Sequence, residues 1–199
     1  MIGIVDYGAG NLASVKKAFD HLSADCRLVR SEKEMAAVDR LVLPGVGAFG
    51  AAVENLRRHG VWDGLQLHLE RGRPLLGICL GMQLLFEDSR ESPGASGLGF
   101  FSGGVERFRL GKVPQIGWNR VVGADGTELF LGLPGAPYFY FVHGYHVVPR
   151  ESGIIIARTT YGLFYPSVVR RDAVLGVQFH PEKSGACGLQ LLENWRKSC

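Results

Sequence analysis

Residues 74–86 read Pro-Leu-Leu-Gly-Ile-Cys-Leu-Gly-Met-Gln-Leu-Leu-Phe, and this stretch decides the fold. The apolar run 74–78 predicts a buried β-strand, and the pattern of residues 82–86 predicts a helix after it. Cys79 stands at the junction between Gly77 and Gly81, where small neighbours allow a tight turn. The positive end of the helix favours a thiolate there. The pattern therefore predicts a nucleophile, although an isolated cysteine is more often a small buried hydrophobe.

A candidate base for this thiol lies near the carboxyl end of the chain. The segment Val177-Gln-Phe-His180-Pro-Glu182 reads as an apolar strand that ends at Pro181, since proline removes a donor from the ladder. The period of two in a strand places His180 and Glu182 on the same face. The carboxylate would then hold one imidazole nitrogen while the other faces the thiol. The alternative is a surface histidine paired with a neighbouring acid.

A third segment, Leu43-Pro-Gly-Val-Gly47, follows another apolar strand. Attack on an amide builds negative charge on the carbonyl oxygen, and each preorganised N–H donor contributes about 3–4 kcal/mol to stabilising it. Glycines leave room for backbone N–H groups to approach such an oxygen. We expect the donors to be Leu80 N–H and an N–H of the Gly45–Gly47 turn, which contains Val46. The alternative is a plain Pro-Gly turn.

The segments around these motifs predict an α/β fold. Apolar strands alternate with helical stretches over the first ninety residues, which indicates a mostly parallel central sheet flanked by helices. Short β-branched and aromatic segments follow, which predicts additional antiparallel strands in the second half. The predicted strands cover residues 2–5, 26–29, 41–43, 74–78, 138–148, 154–158 and 174–179. The predicted helices cover residues 11–22, 50–58, 61–71, 82–86 and 185–196, and residues 88–99 are predicted to form a loop.

The composition limits the classes of function. A chain of 199 residues that is 46% hydrophobic can bury one core, and we expect a single domain over residues 1–199. The net charge of +3 comes without a dense basic run, so we expect no nucleic-acid partner and no membrane surface. No signal peptide or membrane span stands out, which predicts a cytoplasmic protein. The four cysteines lack disulfide or zinc spacing, and we predict neither a metal nor a cofactor.

Two further motifs suggest other chemistry. Gly8-Ala-Gly10-Asn-Leu-Ala13 follows the first strand and opens a helix, and Glu32 and Glu34 stand about twenty residues later, which formally fits a dinucleotide fingerprint. The match is weak because no second nucleotide-binding half is visible. His143 and His146 suggest a metal pair, but their spacing in a single strand would place them on opposite faces.

These motifs resemble those of class I glutamine amidotransferases, which have a flavodoxin-like fold, and among them the glutaminase subunits of imidazole glycerol phosphate synthase. The resemblance covers nearly the whole chain. The motifs shared with the wider family are Pro44–Gly47, Gly77–Gln83 and Gln178–Ser184. The motifs typical of the synthase subunits are Asp6–Asn11, Gly45–Phe49, Val113–Asn119 and Pro181–Gly185. The opening glycine motif is thereby reassigned from nucleotide binding.

The resemblance implies hydrolysis of L-glutamine to glutamate and ammonia. Cys79 is implied as the nucleophile, His180 as general base and acid, and Glu182 as the residue that orients the imidazole. The implied oxyanion and glutamine contacts are Val46, Gly47, Leu80, Gln83, Gly144 and Tyr145. The implied contacts with a partner subunit are Asn11, Pro114, Gln115, Trp118 and Lys183. That partner is a (β/α)₈-barrel cyclase, which would form a heterodimer with the chain and use the ammonia to make imidazole glycerol phosphate in histidine biosynthesis.

The sequence departs from the family pattern within residues 141–146. Ser or Thr is expected at Gly144, and an aromatic residue is common at His146. Cys187 lies where the family usually has no cysteine, and we assign it no role. Three alternatives stay open: an amidotransferase that feeds another pathway, for example one of surface polysaccharide, a stand-alone cysteine hydrolase, and a regulatory module on an inactivated scaffold. The intact triad argues against the last.

Overall fold

The computed structural model describes residues 1–123 and 126–198. In this part of the chain the strands are β1 (Ile2–Val5), β2 (Cys26–Val29), β3 (Arg40–Gly45), β4 (Leu75–Cys79), β5 (Phe86–Ser89), β6 (Phe101–Arg107), β7 (Gln115–Arg120), β8 (Tyr138–His143), β9 (Tyr145–Pro149), β10 (Ile155–Tyr161), β11 (Leu163–Arg171) and β12 (Val174–Val177). The α-helices are α1 (Leu12–His21), α2 (Glu32–Ala36), α3 (Phe49–Arg58), α4 (Trp62–Glu70), α5 (Leu80–Gln83) and α6 (Gly185–Lys197). Short 3₁₀ turns cover Glu128–Phe130, Ser152–Ile154 and Pro181–Lys183.

A seven-stranded sheet crosses the molecule in the order β10-β11-β12-β4-β3-β1-β2. The strands from β12 to β2 run parallel, whereas β11 and β10 extend the sheet antiparallel. Every residue of β1, β4 and β12 is buried. Parallel strands covered on both faces are continuous apolar runs, and this explains why these segments stand out in the sequence. The predicted α/β fold with a mostly parallel central sheet is confirmed.

Two apolar cores cover the two faces of this sheet. Leu41 and Leu43 of β3 point into one core, and Val42 between them points into the other. The first core includes buried residues of α3 and α4, and the second includes those of α1 and α6. The rings of Phe19 in α1 and Trp195 in α6 lie 6.1 Å apart. The helices therefore fix the sheet from both sides and leave its carboxyl edge free for a site.

Two smaller sheets complete the second half of the chain. Strands β5, β6 and β9 form one, and β7 and β8 form an antiparallel two-stranded ribbon. The single strand predicted over residues 138–148 is wrong, because the chain breaks at Gly144. The residues before the break pair with β7, and those after it pair with β6. The break leads the chain from the ribbon to the three-stranded sheet.

Several other boundaries also differ from the prediction. The helix predicted at 82–86 is α5, four residues long, because Phe86 already pairs with β6. The predicted loop 88–99 begins inside β5. The strand predicted over 174–179 ends at Val177. Within residues 1–123 and 126–198, the helices are too short or too polar to cross a bilayer.

Candidate active site

Cys79 occupies a strained turn at the end of β4. Its φ is +55° and its ψ is −110°, a left-handed conformation that side chains other than glycine rarely adopt. Backbones crowd around it: a Cβ on Gly81 would lie 1.8 Å from Leu43 O, and a Cβ on Gly77 would lie 2.8 Å from the Gly81 carbonyl carbon. The glycines on either side of Cys79 are therefore required by close backbone approach, and they hold the turn in one geometry.

The helix that follows this turn is short and begins earlier than predicted: α5 covers Leu80–Gln83, whereas the sequence predicts residues 82–86. Since α5 has four residues, the positive end of a long helix is not what stabilises a thiolate at Cys79. The imidazole of His180 lines the same cavity, and it supplies a positive charge beside the sulfur when it is protonated. The sequence-based expectation that the positive end of a helix favours the Cys79 thiolate is therefore replaced by an interaction with His180.

His180 and Glu182 form a buried pair. The imidazole Nδ1 lies 2.8 Å from Glu182 Oε1, and the two side chains are 2% and 1% exposed. The predicted reason for their proximity is wrong, because both follow the end of β12 and Glu182 belongs to the 3₁₀ turn Pro181–Lys183. A proline at the first position of this turn presets its backbone. The turn, and not the face of a strand, brings the carboxylate under the ring.

The other ring nitrogen of His180, Nε2, is the one that remains for the Cys79 sulfur, because Nδ1 is bonded to Glu182. Nε2 is buried, and no group in the described part of the chain forms a hydrogen bond with it. Burial lowers the pKa of His180, but the adjacent Cys79 thiol and the Glu182 carboxylate outweigh it and raise the pKa above its usual value. Because a carboxylate only accepts, Nδ1 carries the proton toward Glu182, and Nε2 is free to exchange a proton with the sulfur.

A cavity of about 220 Å³ lies above the thiol. It collects residues from three strand ends of the sheet and from the break between β8 and β9. The predicted site residues that line it are Val46, Gly47, Cys79, Leu80, Gln83, Gly144, Tyr145 and His180. The lining residues that the sequence did not predict are Glu91, Val142 and His143. The segments that are distant in sequence thus meet around the sulfur, with Glu182 behind His180.

Glu91 brings a carboxylate to this cavity from the loop after β5. Its Oε2 accepts a hydrogen bond of 2.8 Å from Phe49 N, the first residue of α3. The neighbouring Ser92 Oγ accepts one of 2.9 Å from Gly50 N. These bonds satisfy free N–H groups of the helix and fix the loop. Nothing in the sequence relates this acid to Cys79, since the contact depends on where the loop folds.

The Gly45–Gly47 turn borders the cavity beside Cys79. Gly45 is paired with Cys79 in the sheet, and a Cβ on it would lie 2.7 Å from Gly81 N. Gly47 has a φ of +94° and no atom within 4 Å of a Cβ built on it. The start of the segment is held by Tyr7, whose hydroxyl donates to Pro44 O at 3.0 Å. One end of the turn is therefore fixed, while the other lies in open space.

A network of amides lies beneath the thiol. Gln83 Nε2 donates to Tyr145 O and to Gln178 Oε1, each at 3.1 Å. Gln178 Nε2 in turn donates to Cys79 Sγ at 3.6 Å. The Tyr145 carbonyl also lies 2.7 Å from His143 Nδ1. Gln83, which the resemblance makes a glutamine contact, thus lines the cavity while both of its N–H groups are held by the protein.

The predicted partner contacts divide into exposed and buried residues. Asn11 is half-buried at the start of α1, whereas Pro114, Trp118 and Lys183 are exposed. Gln115 is only 2% exposed, so its side chain cannot face a partner and that prediction is wrong. The alternation of β7 turns it inward and turns Ile116 outward, 62% exposed, which the prediction missed.

His143 and His146 lie in different strands, contrary to the prediction of one strand with opposite faces. Both rings contact Phe108, with centroid distances of 5.3 Å and 4.9 Å. Burial lowers the pKa of His143 to about 3 and also lowers that of His146. Among residues 1–123 and 126–198, no group of three or more potential metal ligands comes together. The two histidines are aromatic core residues of this region.

Known proteins resemble this chain in sequence over most of their length. Residues 3–197 match the family "Glutamine amidotransferase class-I". The protein named imidazole glycerol phosphate synthase subunit HisH from Methanocaldococcus jannaschii is 46% identical over 98% of this chain and 98% of its own length. The protein of the same name from Moorella thermoacetica is 46% identical over 98% of this chain and 93% of its own.

Solved structures share the fold at lower identity. A structure described as a glutamine amidotransferase superposes with a TM-score of 0.78 at 24% identity, covering 98% of both chains. The structure of PurLQS from Thermotoga maritima gives a TM-score of 0.78 at 17% identity, covering 99% of this chain and 97% of that one. At these identities the likeness shows the arrangement of strands and helices alone.

Proposed function

The chain belongs to the class-I glutamine amidotransferase family, and we propose that it hydrolyses L-glutamine to glutamate and ammonia at Cys79. One observation carries this proposal: the buried His180–Glu182 pair stands beside the strained Cys79 at the wall of a cavity. A thiol nucleophile needs a base to accept its proton, and the base needs an orienting group. The three side chains supply these parts in the required order.

The proposed reaction proceeds through a thioester. The sulfur of Cys79, its proton on His180 Nε2, attacks the side-chain carbonyl carbon of glutamine. Leu80 N–H and an N–H of the Gly45–Gly47 turn hold the resulting oxyanion. The C–N bond breaks as His180 gives its proton to the nitrogen, which leaves as ammonia. A water then gives a proton to His180 and its oxygen to the carbonyl carbon, and the C–S bond breaks to release glutamate.

Glutamine is positioned by its polar ends in this proposal. Glu91 lines the cavity and offers a carboxylate to the α-ammonium group. The backbone of Gly144 and Tyr145 also lines the cavity and offers polar groups without a side chain at 144. Gln83 completes the floor near the sulfur. The absence of the expected Ser or Thr at 144 thus leaves glutamine to be held chiefly by backbone and by carboxylate contacts.

The relatives are named as subunits of a synthase, and we extend this role to the chain. Its partner would be the (β/α)₈-barrel cyclase, joined as a cytoplasmic heterodimer that passes ammonia to imidazole glycerol phosphate formation in histidine biosynthesis. The exposed Ile116 and Trp118 support a protein partner, because these two large apolar side chains, 62% and 56% exposed, lie two residues apart on the same face of β7. Lys183 adds a charge beside the base, next to Glu182 in the same turn.

The ribbon also offers a short path from the partner to the base. Trp118 packs edge-on against Tyr140, with ring centroids 6.1 Å apart. Tyr140 O accepts a hydrogen bond of 2.9 Å from His180 N, and Tyr140 N donates one of 3.0 Å to Ser184 Oγ. A partner that shifts Trp118 would therefore act on the backbone that carries the base. Reorientation of the Gly45–Gly47 peptides would be the second element that responds, since glycine makes it inexpensive.

Glutamate formation tests both parts of the proposal. We expect little glutamate from the chain alone, more with the cyclase, and most when the cyclase also holds its nucleotide-like substrate. No glutamate in any condition would contradict glutamine hydrolysis. Full activity of the chain alone would contradict the coupling and favour a stand-alone hydrolase. Activation by another copurifying partner, but not by the cyclase, would favour a different pathway.

A further inference from the structure

Gln178 has no part in the proposed hydrolysis, yet its side chain touches the nucleophile. It follows the last residue of β12 and is completely buried. Its backbone N–H donates to Ser167 O at 2.9 Å, which ties it to β11. Its Nε2 donates to Cys79 Sγ at 3.6 Å. A neutral thiol accepts hydrogen bonds weakly, whereas a thiolate accepts them well, so this donor distinguishes the two forms of the sulfur.

Gln83 fixes the direction of the Gln178 amide. A carboxamide can be rotated to exchange its oxygen and nitrogen, so the neighbours must decide the orientation. The carbonyl of Tyr145 only accepts, and the Gln83 atom 3.1 Å from it must therefore be Nε2. The same Nε2 lies 3.1 Å from Gln178, which must present Oε1 to it. Gln178 then has its Nε2 toward Cys79, where it can only donate.

The protonated form of Cys79 has a different hydrogen-bond partner, a backbone carbonyl at a longer distance. Cys79 Sγ lies 3.9 Å from Val142 O, a direction in which only a protonated sulfur can donate. Gln178 Nε2 lies nearer, at 3.6 Å, and serves only as a donor. One contact therefore suits the thiol and the other suits the thiolate. The shorter contact, with Gln178 Nε2, is the one that becomes stronger when Cys79 loses its proton.

We propose that Gln178 is a positioning residue that holds the Cys79 sulfur between the base and the cavity and favours its thiolate form. The inference rests on the proposed role of Cys79 as the nucleophile. Gln178 does not line the cavity, so it acts on the sulfur and not on glutamine. Unlike His180, an amide does not take the proton, and it can therefore stay in place through both halves of the reaction.

Several titratable groups face the sulfur or its cavity, and Gln178 differs from all of them. They are Tyr7 after β1, Glu91 after β5, His143 of β8, Tyr165 of β11, and His180 with Glu182 behind it. Burial raises the pKa values of Tyr7 and Tyr165 and lowers that of His143. These three are neutral at pH 7. Gln178 does not titrate, so a change at this position alters the sulfur without adding a titration of its own.

The test is the rate at which iodoacetamide alkylates Cys79 as a function of pH, followed on its own peptide by mass spectrometry. In Gln178→Met, which keeps the length but has no donor, we expect the rate at pH 7 to fall about ten-fold and the pH midpoint to rise by about one unit. Gln178→Glu should be slower still, because a carboxylate repels a thiolate. The matched control is Ser167→Ala, which removes another fully buried polar group, one bonded to Thr159.

Glutamine hydrolysis with the partner present gives a second readout. We expect Gln178→Met to lower kcat about ten-fold while KM changes less than about three-fold, because the residue contacts the sulfur and not the substrate. An unchanged alkylation midpoint in folded Gln178→Met, or an equal change in Ser167→Ala, would overturn the proposal. Alkylation uses no glutamine, so a wild-type chain with normal Cys79 reactivity and no glutamate release would contradict the proposed function alone.

A measurement on the unsubstituted side chain decides the matter if the variants do not fold. In the ¹⁵N-labelled wild-type chain, the side-chain amide signal of Gln178 should shift with the same pH midpoint as Cys79 alkylation. The shift should be lost in Cys79→Ala. A Gln178 signal that ignores the titration of Cys79 would show that the amide only packs, and the inference would be wrong.

Discussion

All five residues of β4 are buried, whereas along β7 exposed residues alternate with one buried and two half-buried ones. The central sheet surrounds Cys79 with backbone contacts too close for any side chain, at Gly77 and Gly81. The β7–β8 ribbon has one covered face and one open face that carries Trp118. In the proposed function, the sheet fixes where the reaction takes place, and the ribbon offers a surface through which a partner can act on it. Substitutions in the two regions should therefore affect different quantities.

The largest expected effect belongs to the sheet. Cys79→Ala should lower glutamine hydrolysis by four or more orders of magnitude, about the effect of losing a nucleophile elsewhere, while the chain still folds and binds its partner. Glutamate formation and copurification of the cyclase are the two measurements. Activity above about one per cent of wild type would contradict the role of Cys79.

A reactive glutamine analogue provides the control for that variant. It should label Cys79, which lines the cavity, and leave Cys26 and Cys187 unlabelled, since both lie half-buried elsewhere. Cys199 should also stay unlabelled, although it lies outside the described residues. Labelling that moved to another cysteine would break the assignment of chemistry to the sheet.

The next effect belongs to the turn between the two regions. Glu182→Gln should lower kcat about 100-fold or more and change KM little, because the carboxylate orients His180 and supports its charged form. Cys79 and Glu182 raise the pKa of His180, so removing the Glu182 carboxylate should move the basic limb of the rate–pH curve to lower pH. Rates with the partner present, from about pH 6 to pH 10, give the answer. Unchanged turnover would leave Glu182 without a catalytic role.

A smaller effect is expected from the open face of the ribbon. Trp118→Ala and Lys183→Ala should each lower activation by the cyclase about ten-fold, because an aromatic anchor and a charge beside the base are lost. Basal hydrolysis by the chain alone should change far less. The ratio of the two rates is the measurement, and Phe164→Ala, an equally exposed aromatic on β11, is the control. Equal losses of hydrolysis rate with and without the partner would mean that Trp118 supports the site itself and does not transmit partner binding.

The smallest effect concerns the covered face of the ribbon. Burial lowers the pKa of His143 to about 3 from its ordinary 6.5, so the unfolded chain binds one more proton between these values. The free energy of unfolding should therefore fall as the pH falls through this window. His143→Gln should reduce that dependence by about one proton between about pH 4 and pH 6, as measured by denaturant unfolding. The surface variant His21→Gln serves as the control, and an unchanged slope would mean that His143 is accessible to protons.

The sequence predicted the central strands well because their burial leaves a plain mark. The predicted strand 2–5 agrees with β1, which is buried throughout, and 26–29 agrees with the edge strand β2, of which only Val29 is buried. The second half was harder, because partners that set strand limits are distant in sequence. The break at Gly144 follows from pairing with two different strands, and no local pattern shows it. The same holds for the inward direction of Gln115.

A local signal was present for α2, which was not predicted. Ser31 Oγ accepts a hydrogen bond of 3.3 Å from Glu34 N, and Glu34 Oε2 accepts one of 2.7 Å from Arg30 N. Ser followed three residues later by Glu is a recognised start of a helix. Glu34 therefore belongs to the start of a helix and not to a nucleotide motif. No local pattern marks Glu91 as a site residue, because its role depends on contacts that are distant in sequence. These are the hydrogen bond to the start of α3 and the position beside the cavity.

The positive φ of Cys79 makes stability and activity favour different residues at this position: glycine suits the backbone, and cysteine supplies the thiol. A side chain in this conformation costs about 1–2 kcal/mol relative to glycine, which adopts it freely. Cys79→Gly should therefore relax the turn and remove all hydrolysis. In a lineage that no longer needed ammonia from glutamine, selection for a stable chain would favour the loss of this cysteine among the first changes. A cysteine at this turn is therefore expected only where the reactivity of the sulfur outweighs the strain of the backbone.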